Sequence, residues 1–240
     1  MLPTVIAARQ VPTVLVVVAV AVGLVACGSS SAGNGLASKP PATIVRATTK
    51  ASESARSVHV SGSLTQAGTV IALDLRMVAG VGATGWMSDA GKRFSLVLDR
   101  STLYIKGGAS FWRAFGNATV AKLLRGKWLK APASGDYASI AKFANLREFF
   151  QQIFSATTGR LSKAETKTIN GQPAVGVRDT ERGGVLYVAA RGKPYPLEID
   201  GTTAGGAGTT GKLDFTAFNA PVTISPPRHT ISVAELQKLG

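Results

Sequence analysis

The chain has 240 residues, 45% hydrophobic and 17% charged, and its 27 lysines and arginines against 13 acidic residues give a formal net charge of +14. That length suffices for one domain with a substantial core, and the basic excess favours anionic partners such as lipid headgroups, acidic wall polymers or nucleic acid, with a solvated basic surface that merely keeps the protein soluble as the alternative. A single cysteine excludes an intrachain disulfide, and two histidines without clustered carboxylates argue against a zinc site.

The first element is an apolar run at residues 14–26, VLVVVAVAVGLVA. Thirteen residues are too few to cross a bilayer, which takes about 20. A buried helix would normally carry caps and a polar face, and this run has neither. Arg9 is the only charged side chain before it, and small residues close it, as in an export signal. The closing residues Leu24-Val25-Ala26-Cys27-Gly28 resemble the lipobox of bacterial lipoproteins. That resemblance implies cleavage before Cys27, a diacylglyceryl group on its thiol and acylation of the new amine. A buried free cysteine is the alternative, but this is the only cysteine and it stands where the motif needs one. Each buried CH₂ contributes about 0.8 kcal/mol, so one acyl chain binds reversibly while two or three hold stably. Residues 1–26 therefore read as a removed signal peptide. Cys27 reads as a lipid anchor on the extracytoplasmic face of the cell membrane, a place that excludes nucleic acid as a partner.

Residues 27–41 are rich in glycine, serine and alanine and end in Pro40-Pro41, which predicts a flexible tether. Residues 42–240 are left for a single domain. Apolar positions at helical spacing predict an amphipathic helix over 42–56. The period then changes. Val58, Val60, Gly62 and Leu64 alternate with His59, Ser61, Ser63 and Thr65, a strand, and Ile71, Leu73, Leu75 and Met77 alternate with Ala72, Asp74 and Arg76 in the next. Further strands are expected around Trp86, through Phe94, Leu96 and Leu98, and at Leu103 and Ile105, with short turns between them that make an antiparallel meander. Residues 110–125 turn helical towards Gly126, a C-cap residue, and 127–130 form a short strand. The clearest helix is 137–154, which places Ile140, Phe143, Leu146, Phe149, Phe150, Ile153 and Phe154 in one stripe. Two strands, 161–169 and 172–180, flank Asn170-Gly171, the strongest short hairpin signal. Strands at 185–190, 196–200 and 212–218 and a short helix at 232–239 complete the chain.

The predicted fold class is α+β: a strongly curved antiparallel half-barrel of about ten or eleven strands with helices covering its concave face, because twist accumulates across so wide a sheet. The side chains expected to line an apolar cavity are Leu73, Leu75 and Met77, Trp86, Phe94 and Leu96 from the strands. From the long helix they are Phe143, Leu146, Phe149, Phe150 and Ile153. The same stripe could equally be the plain core contact of a helix on a sheet. Trp86, Trp112 and Trp128 are core residues or mark a cavity mouth at the membrane interface.

This layout, with the lipobox at Cys27, resembles the actinobacterial LppX/LprG-type lipoproteins, whose half-barrel is similar to that of the LolA and LolB carriers. The resemblance covers nearly the whole chain. It rests further on Ser57-Val58-His59-Val60-Ser61-Gly62, on Leu103-Tyr104-Ile105-Lys106 and on Asn170-Gly171-Gln172-Pro173. It also rests on Val185-Leu186-Tyr187-Val188 leading to Lys193-Pro194-Tyr195-Pro196-Leu197. It implies a lipid-binding protein that takes the acyl chains of a lipid or glycolipid between sheet and helices; separately, a monomer with no cofactor and no catalysis is expected.

Other signals carry less. Gly206-Ala207-Gly208-Thr209-Thr210-Gly211-Lys212 contains a G-x-G-x-x-G and most of a phosphate loop, but Leu213 follows the lysine where Ser or Thr would hold Mg²⁺. The next residues alternate as a strand and supply no helix N-terminus for phosphates. No G-x-S-x-G frames a serine. Glu198 and Asp200 share a strand face as possible paired carboxylates, with a solvated outer face as the stronger explanation. Two functions from different classes remain. One is a lipid carrier. The other is a basic envelope scaffold that binds anionic wall polymers or a partner protein without a lipid ligand. A hydrolase comes third.

Overall fold

A computed structural model of the chain describes residues 33–66, 68–155, 159–181, 183–201 and 210–239. The signal segment, Cys27 and most of the glycine-rich loop at 202–209 lie outside the described residues.

The sheet is built from β1 (Ser57–Gln66), β2 (Thr69–Val78), β3 (Gly82–Asp89), β4 (Lys92–Asp99), β5 (Thr102–Gly107), β6 (Trp128–Pro132), β7 (Leu161–Ile169), β8 (Gln172–Asp179), β9 (Val185–Ala189), β10 (Pro196–Gly201), β11 (Thr210–Thr216) and β12 (Thr230–Ser232). Their spatial order is β12-β6-β5-β4-β3-β2-β1-β11-β10-β9-β8-β7. Two meanders thus meet at one non-sequential antiparallel pair, β1 with β11, in which Gly62 faces Leu213 and Val60 faces Phe215. The half-barrel is the one expected, with twelve strands instead of ten or eleven. The addition is β12, three residues that pair in parallel with β6. Ser232 then caps α6 (Val233–Leu239): its backbone N–H donates to Glu235 Oε2 at 2.7 Å and Glu235 N–H donates to Ser232 Oγ at 3.2 Å.

The curvature has a local cause. Gly62 and Gly85 lie within strands at φ 136° and 149°, and a Cβ at either would overlap a neighbouring carbonyl oxygen, that of Lys212 or of Asp74. Glycine in a strand lets adjacent backbones close up and the sheet bend. At the Asn170-Gly171 turn both residues have positive φ, 49° and 76°, as a two-residue I′ hairpin requires.

Helices fill the concave side. α1 (Pro41–Glu53) buries Ile44, Val45, Thr48, Ala51 and Ser52 and packs on α5 (Leu146–Ser155), β7 and β8. The single helix expected over 137–154 is in fact α4 (Ala138–Phe143) followed by α5. Asn145 interrupts it, its Oδ1 accepting from the N–H groups of Arg147 and Glu148 at 3.1 and 3.3 Å. An asparagine side chain competes with the helix for its own backbone and restarts it as an N-cap. The helical expectation over 110–125 divides in the same way into α2 (Ala109–Phe115) and α3 (Ala118–Leu123), with Asn117 Oδ1 accepting from Val120 N–H at 2.9 Å.

The tether needs correcting. Residues 27–32 lie outside the described residues, but the segment from Gly33 to Pro41 is docked. Gly33 bridges Arg191, and Asn34 donates its backbone N–H to Ala190 O at 2.8 Å and its side-chain amide to Ala189 O at 2.8 Å. Leu36 is buried, and Lys163 Nζ donates to Ala37 O at 2.7 Å. Composition missed this because one asparagine and one leucine anchor the segment. No helix among the described residues is long and apolar enough to cross a membrane.

Candidate functional site

The concave side holds one contiguous apolar cluster. Leu73, Leu75 and Met77 of β2, Phe94 and Leu96 of β4, and Leu146, Phe149 and Phe150 of α5 all belong to it, with Phe143 and Ile153 packed at its margin. Ten of the eleven expected lining residues are therefore brought together. Trp86 is not. It pairs across the strands with Asp74 and Ser95, which puts it on the convex face, where the Arg93 guanidinium lies 3.8 Å from its ring centre. In the weakly patterned GATGWMSD of β3 the inward positions are Ala83, Gly85 and Met87, so Met87 takes the place assigned to Trp86. Of the other two tryptophans, Trp112 is buried in the apolar cluster and Trp128 is half-buried, 5.9 Å from the Lys106 ammonium.

Leu75, Met77 and Leu96 expose 0% of their surface. A hollow of even water size beside them would leave accessible area, so the centre of the cluster is filled by neighbouring atoms. Open space lies at its edges, and it follows an aromatic seam. Phe150 of α5 stacks against Phe215 of β11 at 5.9 Å, Phe218 at 6.4 Å and Phe154 at 5.8 Å between ring centres. Tyr195 stacks on Phe218 at 4.1 Å, with Asn219 Nδ2 donating to its hydroxyl at 2.8 Å. Among the described residues, two clefts adjoin this ladder. One, of about 330 Å³, lies between α1 and α5 and is lined by Thr49, Glu53, Phe150 and Phe154. The other, of about 450 Å³, opens at the strand ends, with Ile169, Leu197, Phe215 and Phe218 as its apolar wall and Arg191, Lys193 and Tyr195 among its polar residues. Sequence reasoning passed over Phe215, Phe218 and Tyr195. The signal for Phe215 was the alternation of Leu213 and Phe215 with Lys212 and Asp214.

A second aromatic group sits under α2. Phe111 contacts Phe94 at 4.7 Å, Trp112 at 4.8 Å and the exposed Phe115 at 4.6 Å.

The convex face carries the ionic groups. His59 Nε2 lies 2.9 Å from Asp74 Oδ1, its other ring nitrogen 3.3 Å from Thr216 Oγ1, and Arg76 is 3.9 Å from the same carboxylate. Glu198 corrects the expectation of a solvated carboxylate: it is 4% exposed and bound by Lys167 Nζ at 2.5 Å and Lys212 Nζ at 3.3 Å. The Lys167 ammonium also lies 3.9 Å from the Tyr187 ring centre, and these side chains roof the carboxylate. Lys212, the lysine of the rejected phosphate loop, is thereby committed within β11. Burial by itself would raise the Glu198 carboxyl, but hydrogen bonds from Lys167 and Lys212 outweigh it and hold the group below the usual carboxylate range. A depressed folded pKa stabilises above the ordinary value of about 4.3, and that stabilisation is lost as pH falls through the folded value. Glu198→Gln is therefore expected to lower stability at pH 7 by about 1–3 kcal/mol, since Lys167 loses its counter-charge and Lys212 keeps only that of Asp214, 3.1 Å away. Thermal melts at pH 7 and pH 3 check this: the gap between wild type and variant should close at the lower pH.

No protein-family model and no curated protein matches the sequence. Among solved structures, the lipoprotein LppX of Mycobacterium tuberculosis is similar with a TM-score of 0.51 at 16% identity, over 78% of this chain and 100% of that one. LprF of Mycobacterium bovis is similar with a TM-score of 0.51 at 15% identity, over 78% of this chain and 96% of that one. Identity at this level speaks for the fold alone. The chain is similar in fold, across most of its length, to the mycobacterial lipoprotein LppX and to LprF.

Proposed function

We propose that the chain is an envelope lipid-binding lipoprotein, anchored through Cys27, that takes an acyl chain along the aromatic seam between α5 and the sheet and has no chemistry of its own. The observation that carries this reading is the seam itself. Phe150 joins a cleft at the strand ends to a groove beside α1, and the helix that bears it is short and separately capped by Asn145. An acyl chain that slides between α5 and β11 replaces aromatic contacts by apolar ones of similar area, at about 25 cal/mol per Å² on either side of the exchange. The likeness in fold to a lipoprotein of known structure supports the same reading.

The closed centre, together with the net charge of +14, favours a second reading: a basic scaffold that binds anionic wall polymers through its surface. Native mass spectrometry of the chain from Gly28 onward separates the two. The fragment includes the docked segment at Gly33 and lacks Cys27. A co-purified mass matching a phospholipid or glycolipid, or uptake of added phospholipid, is the expected result. A clean mass with no uptake, alongside salt-sensitive binding to an acidic polymer, establishes the scaffold instead.

A further inference from the structure

The docked N-terminal segment sets which end of the half-barrel is nearest to Cys27 along the chain. Gly33 and Asn34 are pinned to Ala189, Ala190 and Arg191, at the strand ends that frame the 450 Å³ cleft. Five residues lie between Cys27 and Gly33, and the six residue steps at 3.3–3.6 Å each span at most about 22 Å. A domain held on so short a lead cannot turn its far end to the membrane easily, because the strands alone add roughly another 25 Å. The near end is also the one with complementary chemistry. Among the described residues, Arg191 and Lys193, both exposed, are the only charged side chains that line the cleft, and no carboxylate lines it. Lys193 Nζ lies 6.0 Å from the centre of the Tyr195 ring, which in turn stacks on Phe218. Cations over an amphipathic aromatic ring suit the headgroup zone of a bilayer.

We infer that the turn Arg191-Gly192-Lys193 is the membrane-facing pole of the domain and that the cleft beneath it receives the anionic headgroup of a bilayer phospholipid. This rests on the reading of Cys27 as the lipid anchor. It makes the cleft the end of the seam at which a lipid is met headgroup first. The acyl chains then lie towards Phe215, Phe218 and Phe150.

The test uses the full mature lipoprotein in vesicles. Cys27 is consumed as a thioether, so an introduced cysteine is the unique thiol for a donor dye. Gln172→Cys places the dye at the cleft, and Ala90→Cys places it at the β3–β4 turn, at the opposite end of the strands. Energy transfer to a headgroup-labelled lipid is compared in phosphatidylcholine vesicles with and without phosphatidylglycerol. The expected result is strong transfer from position 172, weak transfer from position 90, and an increase at 172 with phosphatidylglycerol that high salt removes. Each basic side chain at the surface changes the docked-to-free ratio about fivefold, so Arg191→Gln with Lys193→Gln should lower it about 25-fold. Greater transfer from position 90, or equal transfer from both positions, overturns the inference, and indifference to phosphatidylglycerol overturns its headgroup assignment. Intact mass before reconstitution keeps the two levels apart. A protein without the diacylglyceryl group overturns the anchor reading and this inference with it, whereas a correct mass with the wrong orientation overturns this inference alone.

Discussion

Truncating Phe150 to alanine is expected to cost about 3–5 kcal/mol of stability and to open the seam. The ring is 1% exposed and contacts Phe149, Phe154, Phe215 and Phe218, so its removal takes away transfer energy and leaves a void that rigid β11 cannot fill. Urea unfolding should show a lower midpoint with an unchanged slope. Apolar voids of this kind stay dry and accept apolar guests. A fluorescent fatty acid should therefore bind the variant faster than the wild type, because the space it needs already exists. A loss below about 1 kcal/mol would mean that α5 is not seated on the sheet as described, and the carrier reading would lose its site.

The second large effect is expected at Gly62. Its φ of 136° is one that side chains rarely adopt, and the Lys212 carbonyl of β11 occupies the space a Cβ would need. Gly62→Ala must therefore relieve both strain and overlap at the one pair that joins the two meanders, for an expected loss of about 4 kcal/mol or more. Ser61→Thr, one residue away on the outer face, should stay within about 0.5 kcal/mol of wild type. Far-ultraviolet circular dichroism and a urea titration of the two variants side by side give the answer. A folded Gly62→Ala of normal stability would show that the sheet bends elsewhere.

Strand alternation could be read from the sequence wherever inward residues are large, as in Leu73-Asp74-Leu75-Arg76-Met77, because a two-residue period leaves no choice of face. It failed at β3, where two of the three inward residues, Ala83 and Gly85, are small and Trp86 dominates the pattern from the outside. The two helix breaks were within reach of a closer reading, since Asn117 and Asn145 each stand before a new apolar stripe. What sequence could not supply were pairings between distant positions. The docking of Asn34 on Ala189 and the seating of Phe218 between Tyr195 and Phe150 depend on chain topology, and so does the burial of Glu198 under lysines from β7 and β11. These contacts build the candidate site, so the fold was easier to read than the place where it acts.

The seam between β1 and β11 also sets an order of events. Every other antiparallel neighbour in the sheet is also the next strand in sequence, but His59 and Thr216 are 157 positions apart. The entropy of bringing ends together rises with the length of the loop closed, so this ladder forms after the local hairpins. A chain made from its N-terminus presents β1 long before its partner exists. Until β11 arrives, one flank of β1 has bare amides and carbonyls, a vulnerable edge that the serines and histidine of its outward face help to keep hydrated.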